Sequence, residues 1–165
     1  APGFTVGHAG PLMVVFMDPN CIYCHKFWDE AQADIRAGKL RLKVIPVGFL
    51  KPTSLAKATT ILQAVDPALA WGHNERRFQK NIEEGGEKPA AHLDIKAMAD
   101  VRANTALLGS TGKMATPTLV YCQHGDKTPL VLHGIVPDFL NGLGAVVGLY
   151  ANREMPWLVC DSRGV

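Results

Sequence analysis

Cys21 and Cys24 stand two residues apart in the run Asp18-Pro19-Asn20-Cys21-Ile22-Tyr23-Cys24-His25. Two thiols at this spacing can close a reversible disulfide or contribute to a metal site. A free thiol with a pKa near 8.5 is only about 3% thiolate at pH 7, so a reactive one needs surroundings that stabilise the anion. The N-terminus of a helix provides them through unpaired N–H groups and the helix dipole. Leu12 to Met17 is a continuous apolar run of strand length, and Asp18-Pro19-Asn20 is a turn signal that stops it. From Cys21 to Ala37 the pattern is helical, with Tyr23, Phe27, Ala31 and Ile35 spaced by four and Gly38 where a C-terminal cap would stand. Cys21 therefore belongs at the first turn of a helix directly after a buried strand, where it would be the attacking thiol. Cys24, one turn deeper, would be the resolving thiol that breaks a mixed disulfide.

Three neighbours could tune this pair. His25 could add positive charge near the sulfurs, or be an exposed helical residue that only adjusts the redox potential. Asp18 could accept a proton from the buried thiol, although an acid three residues before a helix is more often a turn or cap residue. Tyr23 lies between the thiols and would act on the potential through small differences in thiolate stability. Two other chemistries fit the same letters. Cys21-Ile22-Tyr23-Cys24-His25 matches the signature for c-type haem attachment with His25 as axial ligand, but the strand on each side argues against a small helical cytochrome. Zinc would want a second close thiol pair, and Cys122 and Cys160 are far apart, while His8, His73, His92, His124 and His133 are scattered without ligand spacing. No metal and no cofactor is expected.

The surrounding elements predict an α/β domain. Leu40 to Val47 alternates and then becomes apolar, so strand, helix and strand give a βαβ unit with a parallel pair. Residues 53–110 carry helical patterns at Ser54–Val65, Pro67–Asn81 and Ile95–Leu108, broken by Glu84-Gly85-Gly86-Glu87-Lys88-Pro89. They read as a helical insertion. Strand character returns at Thr118–Cys122 and Leu130–His133, joined by a polar segment with Gly125-Asp126 that suits an antiparallel hairpin. A last helix is expected from about Pro137 to Tyr150, followed by a tail over 152–165 in which Trp157 would be an anchor. Phe27, Trp28, Trp71 and Phe78 stand at helical spacings and are expected to pack rather than bind ligands.

With 165 residues and 47% apolar composition, the chain can bury one sizeable core, and a single domain over 1–165 is expected. A formal charge of +2 is too balanced to announce nucleic acid or an anionic membrane as partner. No apolar run approaches the roughly 18 residues that span a bilayer, and Ala1-Pro2-Gly3-Phe4 does not look like a signal peptide, so a soluble chain, mature or trimmed, is expected. Four cysteines are too few for a disulfide scaffold of this size. Cys122 and Cys160 could still form one structural disulfide, closing a loop of about 38 residues worth roughly 4 kcal/mol in the chain-entropy account.

Thr116-Pro117 opens a predicted strand, where a proline is sterically acceptable. Taken with the Cys-x-x-Cys helix, the Val14-Val15-Phe16 strand, the Asp18 to Trp28 run, Val47-Gly48-Phe49-Leu50-Lys51-Pro52, and Gly134-Ile135-Val136-Pro137, it carries a resemblance. The sequence resembles the catalytic domain of the bacterial periplasmic disulfide isomerases of the DsbC and DsbG type, over residues 12 to about 150, and is closer to the DsbG branch through Phe27-Trp28 and Gly48–Pro52. The resemblance implies a thioredoxin fold with a helical insertion between the βαβ half and the hairpin half, and a periplasmic location. It further implies Cys21 as attacking and Cys24 as resolving thiol, and a cis-proline at Pro117 with Thr116 and Pro117 binding substrate backbone. The implied partners are proteins with disulfides or oxidised cysteines and a membrane electron donor of the DsbD type; the DsbG branch further implies reduction of sulfenic acids. The family's N-terminal dimerisation domain has no counterpart in these residues. This chain is then expected to be a monomer, either an excised catalytic domain or a single-domain relative, and the full-length form a homodimer. The alternative from another class is a redox-inert peptide-binding or chaperone module of the same fold, which would have no need of both thiols.

Overall fold

The computed structural model describes residues 1–122 and 128–135. Along these the chain runs β1 (Phe4–Val6), β2 (Leu12–Met17), α1 (Ile22–Arg36), β3 (Arg41–Pro46), α2 (Ser54–Gln63), α3 (Pro67–Arg76), α4 (Ile95–Ser110), β4 (Thr118–Tyr121) and β5 (Leu130–His133). The strands form one sheet in the order β1-β3-β2-β4-β5. β2 lies at its centre, parallel to β3 and antiparallel to β4, while β5 closes an antiparallel pair with β4. This is the thioredoxin fold, with α2, α3 and α4 inserted between its two halves.

The sheet divides two apolar clusters, which is why β2 reads as unbroken hydrophobic sequence rather than alternation. Met13, Val15 and Met17 face Phe27, Trp28, Ala31 and Ile35 of α1 and Trp71 of α3. Val14 and Phe16 point the other way, toward Ile45, Val120 and Leu108 of α4. Successive residues of one strand thus serve opposite layers. Phe27, Trp28 and Trp71 are packing residues, as their spacing predicts.

Each helix boundary near the site has a local cause. α1 ends at Arg36 with Ala37 as its C-cap, the chain then turns through Gly38, whose φ of 70° is costly for other residues, and the N–H of Lys39 returns to the Asp34 carbonyl at 2.9 Å. Asp66 caps α3 by accepting the Leu69 N–H, with Pro67 opening the helix, and Asp94 caps α4 at 2.7 Å from the Ala97 nitrogen. Three expectations change. β1 was not evident in the sequence, because three residues ending before Gly7 become a strand only by pairing with β3. α2 stops at Gln63 because Ala64 turns extended, leaving Val65 fully exposed. α3 stops at Arg76 instead of Asn81, because the chain folds back through a bridge between Gln79 and Glu84. The Gly125-Asp126 turn, the Pro137–Tyr150 helix, the 152–165 tail and Cys160 lie outside the described residues.

Candidate active site

The Asp18-Pro19-Asn20 turn decides where α1 begins. Asp18 Oδ1 accepts the Asn20 N–H at 2.9 Å, and its carbonyl accepts the Cys21 N–H at 3.0 Å. Cys21 is then the N-cap, with extended backbone angles (φ −86°, ψ 115°), and its sulfur accepts the Cys24 N–H at 3.2 Å. From the other half of the domain, 95 residues away, the Thr116 carbonyl accepts the Cys21 thiol at 3.4 Å, and the Thr116–Pro117 peptide bond is cis. The chain halves therefore meet at Cys21.

The two thiols are free and electrostatically unequal. The Cys24 thiol, hydrogen bonded to Cys21, holds the Cys21 pKa below its ordinary value against the cost of burial, helped by Thr116 and the Cys24 N–H and opposed by the Asp18 carboxylate. Cys24 is fully buried, and that burial, together with Cys21 beside it, pushes its pKa well up. The pair thus has one group disposed to be a thiolate and one disposed to stay protonated. Thr116 Oγ1 is buried without a conventional hydrogen-bond partner, yet its hydroxyl favours both thiolates. Thr116→Val, which keeps the shape and removes the hydroxyl, is expected to move the Cys21 thiolate transition to higher pH, read by thiolate ultraviolet absorbance; an unmoved transition would mean that the hydroxyl does not bear on the sulfur.

Asp18 is both a turn residue and an electrostatic neighbour of the thiols. It is buried, with Oδ1 also accepting from Ser54 Oγ at 2.7 Å and Oδ2 accepting from the Phe49 and Leu50 nitrogens at 2.9 and 3.1 Å. Burial raises its pKa against these hydrogen bonds. Tyr23 is exposed on the rim, with Lys26 Nζ 5.3 Å from its ring centroid. His25 departs from the exposed helical residue weighed in the sequence. It is buried, stacked on Phe78 at 4.5 Å, and its Nδ1 lies 2.8 Å from Glu75 Oε2. Nε2 is 3.3 Å from Asp29, so carboxylates occupy both ring nitrogens and neither is turned toward an open ligand position.

Several residues that frame the motif were not singled out in the sequence. Lys57, buried on α2, donates to Asn20 Oδ1 at 2.9 Å, Gly85 carbonyl at 2.8 Å and Glu84 at 3.1 Å. Asn20 Nδ2 donates to Thr53 and Ser54 at 3.0 Å each, and Asn74 Nδ2 donates to the Pro19 carbonyl at 3.0 Å. A side chain at Gly85 would collide with Asn74 and the Pro19 carbonyl. The only sequence signals are polar residues on helical faces and a Gly-Gly pair, and neither names its partner. Cys122, on the far side of the sheet, is buried and disulfide-bonded; the Cys160 side of the expected bridge lies outside the described residues. Among the described residues no cluster of His, Cys, Asp and Glu could hold a metal ion.

The profile of the thioredoxin-like domain matches residues 5–138, spanning α1, the insertion and the cis-proline strand. The chain belongs to the thioredoxin-like domain family. Within it, the chain is 33% identical over 110 residues to the thiol:disulfide interchange protein DsbG of Pseudomonas aeruginosa, covering 67% of this chain and 41% of that protein. DsbG of Escherichia coli is likewise 33% identical, over 113 residues that cover 67% and 43%. The chain therefore spans about two-fifths of the length of the curated relatives it matches. Among solved thioredoxin-fold structures, a periplasmic thioredoxin-like protein of Salmonella enterica serovar Typhimurium superposes with a TM-score of 0.58 at 20% identity, covering 86% of this chain and 87% of that one. DsbA2 of P. aeruginosa superposes with a TM-score of 0.63 at 18% identity, covering 88% and 92%. The curated homologues of this thioredoxin-like domain are thiol:disulfide interchange proteins, and no helix among its described residues is long and apolar enough to cross a membrane.

Proposed function

We propose that the protein is a thiol:disulfide oxidoreductase that reduces or isomerises disulfides in other proteins through Cys21 and Cys24. The observation that carries this reading is the opposite disposition of the two sulfurs: Cys21 at the helix N-cap with a lowered pKa, Cys24 buried with a raised one. The Cys21 thiolate attacks one sulfur of a substrate disulfide, a mixed disulfide forms, and the other substrate sulfur leaves as a thiolate that takes up a proton. Cys24 then loses its proton and attacks Cys21. The second substrate sulfur leaves, and two electrons have passed to the substrate while a Cys21–Cys24 disulfide has formed. When a substrate thiol resolves the mixed disulfide instead, the result is isomerisation without net oxidation. A sulfenic acid enters the same cycle, its oxygen leaving as water when Cys21 forms the mixed disulfide.

Thr116 and Pro117 bind substrate backbone beside Cys21, a role supported by the Thr116 carbonyl 3.4 Å from the sulfur. Resemblance to DsbG and to a periplasmic thioredoxin-like protein supports a periplasmic location, where a membrane electron donor of the DsbD type would return the pair to its dithiol form. Isomerisation, which profits from a cleft holding misfolded protein, gains from the dimerisation region of a full-length form.

Cys24→Ser tests the order of attack. The variant is expected to accumulate mixed disulfides through Cys21 on incubation with oxidised protein substrate, resolved on non-reducing gels and mapped by peptide mass. A folded variant that forms no adduct at Cys21 would refute the assignment of Cys21 as nucleophile.

A further inference from the structure

Glu75 is a buried carboxylate that the exchange cycle does not use. Its Oε2 is 2.8 Å from His25 Nδ1, and its Oε1 accepts from Asn74 Nδ2 at 3.2 Å. The same Asn74 nitrogen donates to the Pro19 carbonyl at 3.0 Å. His25 is the residue immediately after Cys24, and Pro19 is two residues before Cys21. Two adjacent, mutually hydrogen-bonded side chains of the inserted helix α3, Glu75 and Asn74, thus hold the dithiol segment from both flanks. Neither arm is an accident of surface packing, since Asn74, Glu75 and His25 are all buried. The Asn74 side chain is fixed in turn by the Glu87 N–H at 3.1 Å, and the His25 ring is stacked on Phe78 just beyond α3.

From this geometry we infer that Glu75 is a positioning residue for the dithiol, acting through His25 and Asn74 to keep the first turn of α1 in register with Cys21. The inference rests on the dithiol reading above. Its physical content is that the Cys24 N–H reaches the Cys21 sulfur only while Pro19–His25 keeps its present path, and that the thiolate is stabilised through that contact. The charged groups around His25 are Glu75 from α3, Asp29 from its own helix and Lys80 beyond α3, so the ring lies between two acids with one cation nearby. Glutamine at 75 can donate to His25 Nδ1 and accept from Asn74, which preserves both arms without the charge.

The test is the pH profile of Cys21 alkylation by iodoacetamide in the reduced full chain. Glu75→Ala is expected to slow alkylation about three- to tenfold at a pH below the thiolate transition and to move the transition upward, as a tenfold loss corresponds to about one pKa unit. Glu75→Gln recovers most of the rate. Leu108→Ala, which opens the core on the opposite face of the sheet, lowers stability and leaves the transition in place. A wild-type profile in Glu75→Ala, or a Glu75→Gln as slow as Glu75→Ala, would overturn the inference. If Glu75→Ala fails to fold, His25→Phe and Asn74→Ala sever one arm each; wild-type profiles in both would overturn it, and partial slowing in each supports it. Failure of the exchange reading itself is seen separately, as a wild-type protein that does not reduce insulin.

Discussion

Cys21→Ser is expected to lower insulin reduction at least about a thousandfold, to the uncatalysed background, because a hydroxyl at this position remains protonated and cannot attack a disulfide. The loss is specific to chemistry. Serine can still accept the Cys24 N–H as an N-cap, so α1 keeps its start and thermal stability stays close to that of the reduced wild type. Turbidity of precipitating insulin chains, followed with dithiothreitol as electron source, reads the activity, and a melting curve reads the fold. Retained turnover in a folded Cys21→Ser protein would place the chemistry elsewhere.

Asp18→Ala is expected to cost about 3–5 kcal/mol of folding stability, measured by urea unfolding. The substitution leaves three backbone N–H groups and the Ser54 hydroxyl without their acceptor, each worth about 1–3 kcal/mol when stranded in the interior, with water entering the space to offset part of the sum. The pH dependence has a definite sign. Burial raises the Asp18 pKa in the folded state above its unfolded value, so the folded protein holds this proton more tightly. Its contribution is fully present below the unfolded pKa near 3.9 and is lost as pH rises through the folded value. The advantage of wild type over Asp18→Ala therefore narrows as pH is raised from about 4 through that transition. An advantage that widens over this range would mean that the hydrogen bonds, not burial, dominate the carboxylate.

Local signals revealed what local physics decides. The Leu12–Met17 strand, the Asp18-Pro19-Asn20 stop, the helix after Cys21 and its Gly38 terminus are all set by residues within one turn of each other. The Cys-x-x-Cys pair was legible because a strand-to-helix transition is itself a chemical environment for a thiol. β1 was invisible because its order comes from β3, far along the chain. The burial of His25 is hidden from the sequence for a related reason: helical periodicity leaves it beside the core stripe, and only α3, brought back by the insertion, buries it against Glu75 and Phe78. The polar frame of Lys57, Asn20, Asn74 and Gly85 lay beyond sequence reasoning because its hydrogen bonds join residues 37, 55 and 65 positions apart. A helical insertion reads in the sequence as a decoration of the fold. In space it holds the turn from which the active helix starts.

The measurement that bears most directly on the central claim is the redox equilibrium of Cys21 and Cys24 against glutathione, with acid quench, alkylation and peptide mass identifying the oxidised pair. The account predicts one two-electron transition in which Cys21 and Cys24 become disulfide-bonded together, at a potential between about −230 and −120 mV, the range of glutaredoxins, protein disulfide isomerase and strong periplasmic oxidants. A pair that stays reduced across the glutathione series, or a bridge below about −300 mV in the range of structural disulfides, would contradict it.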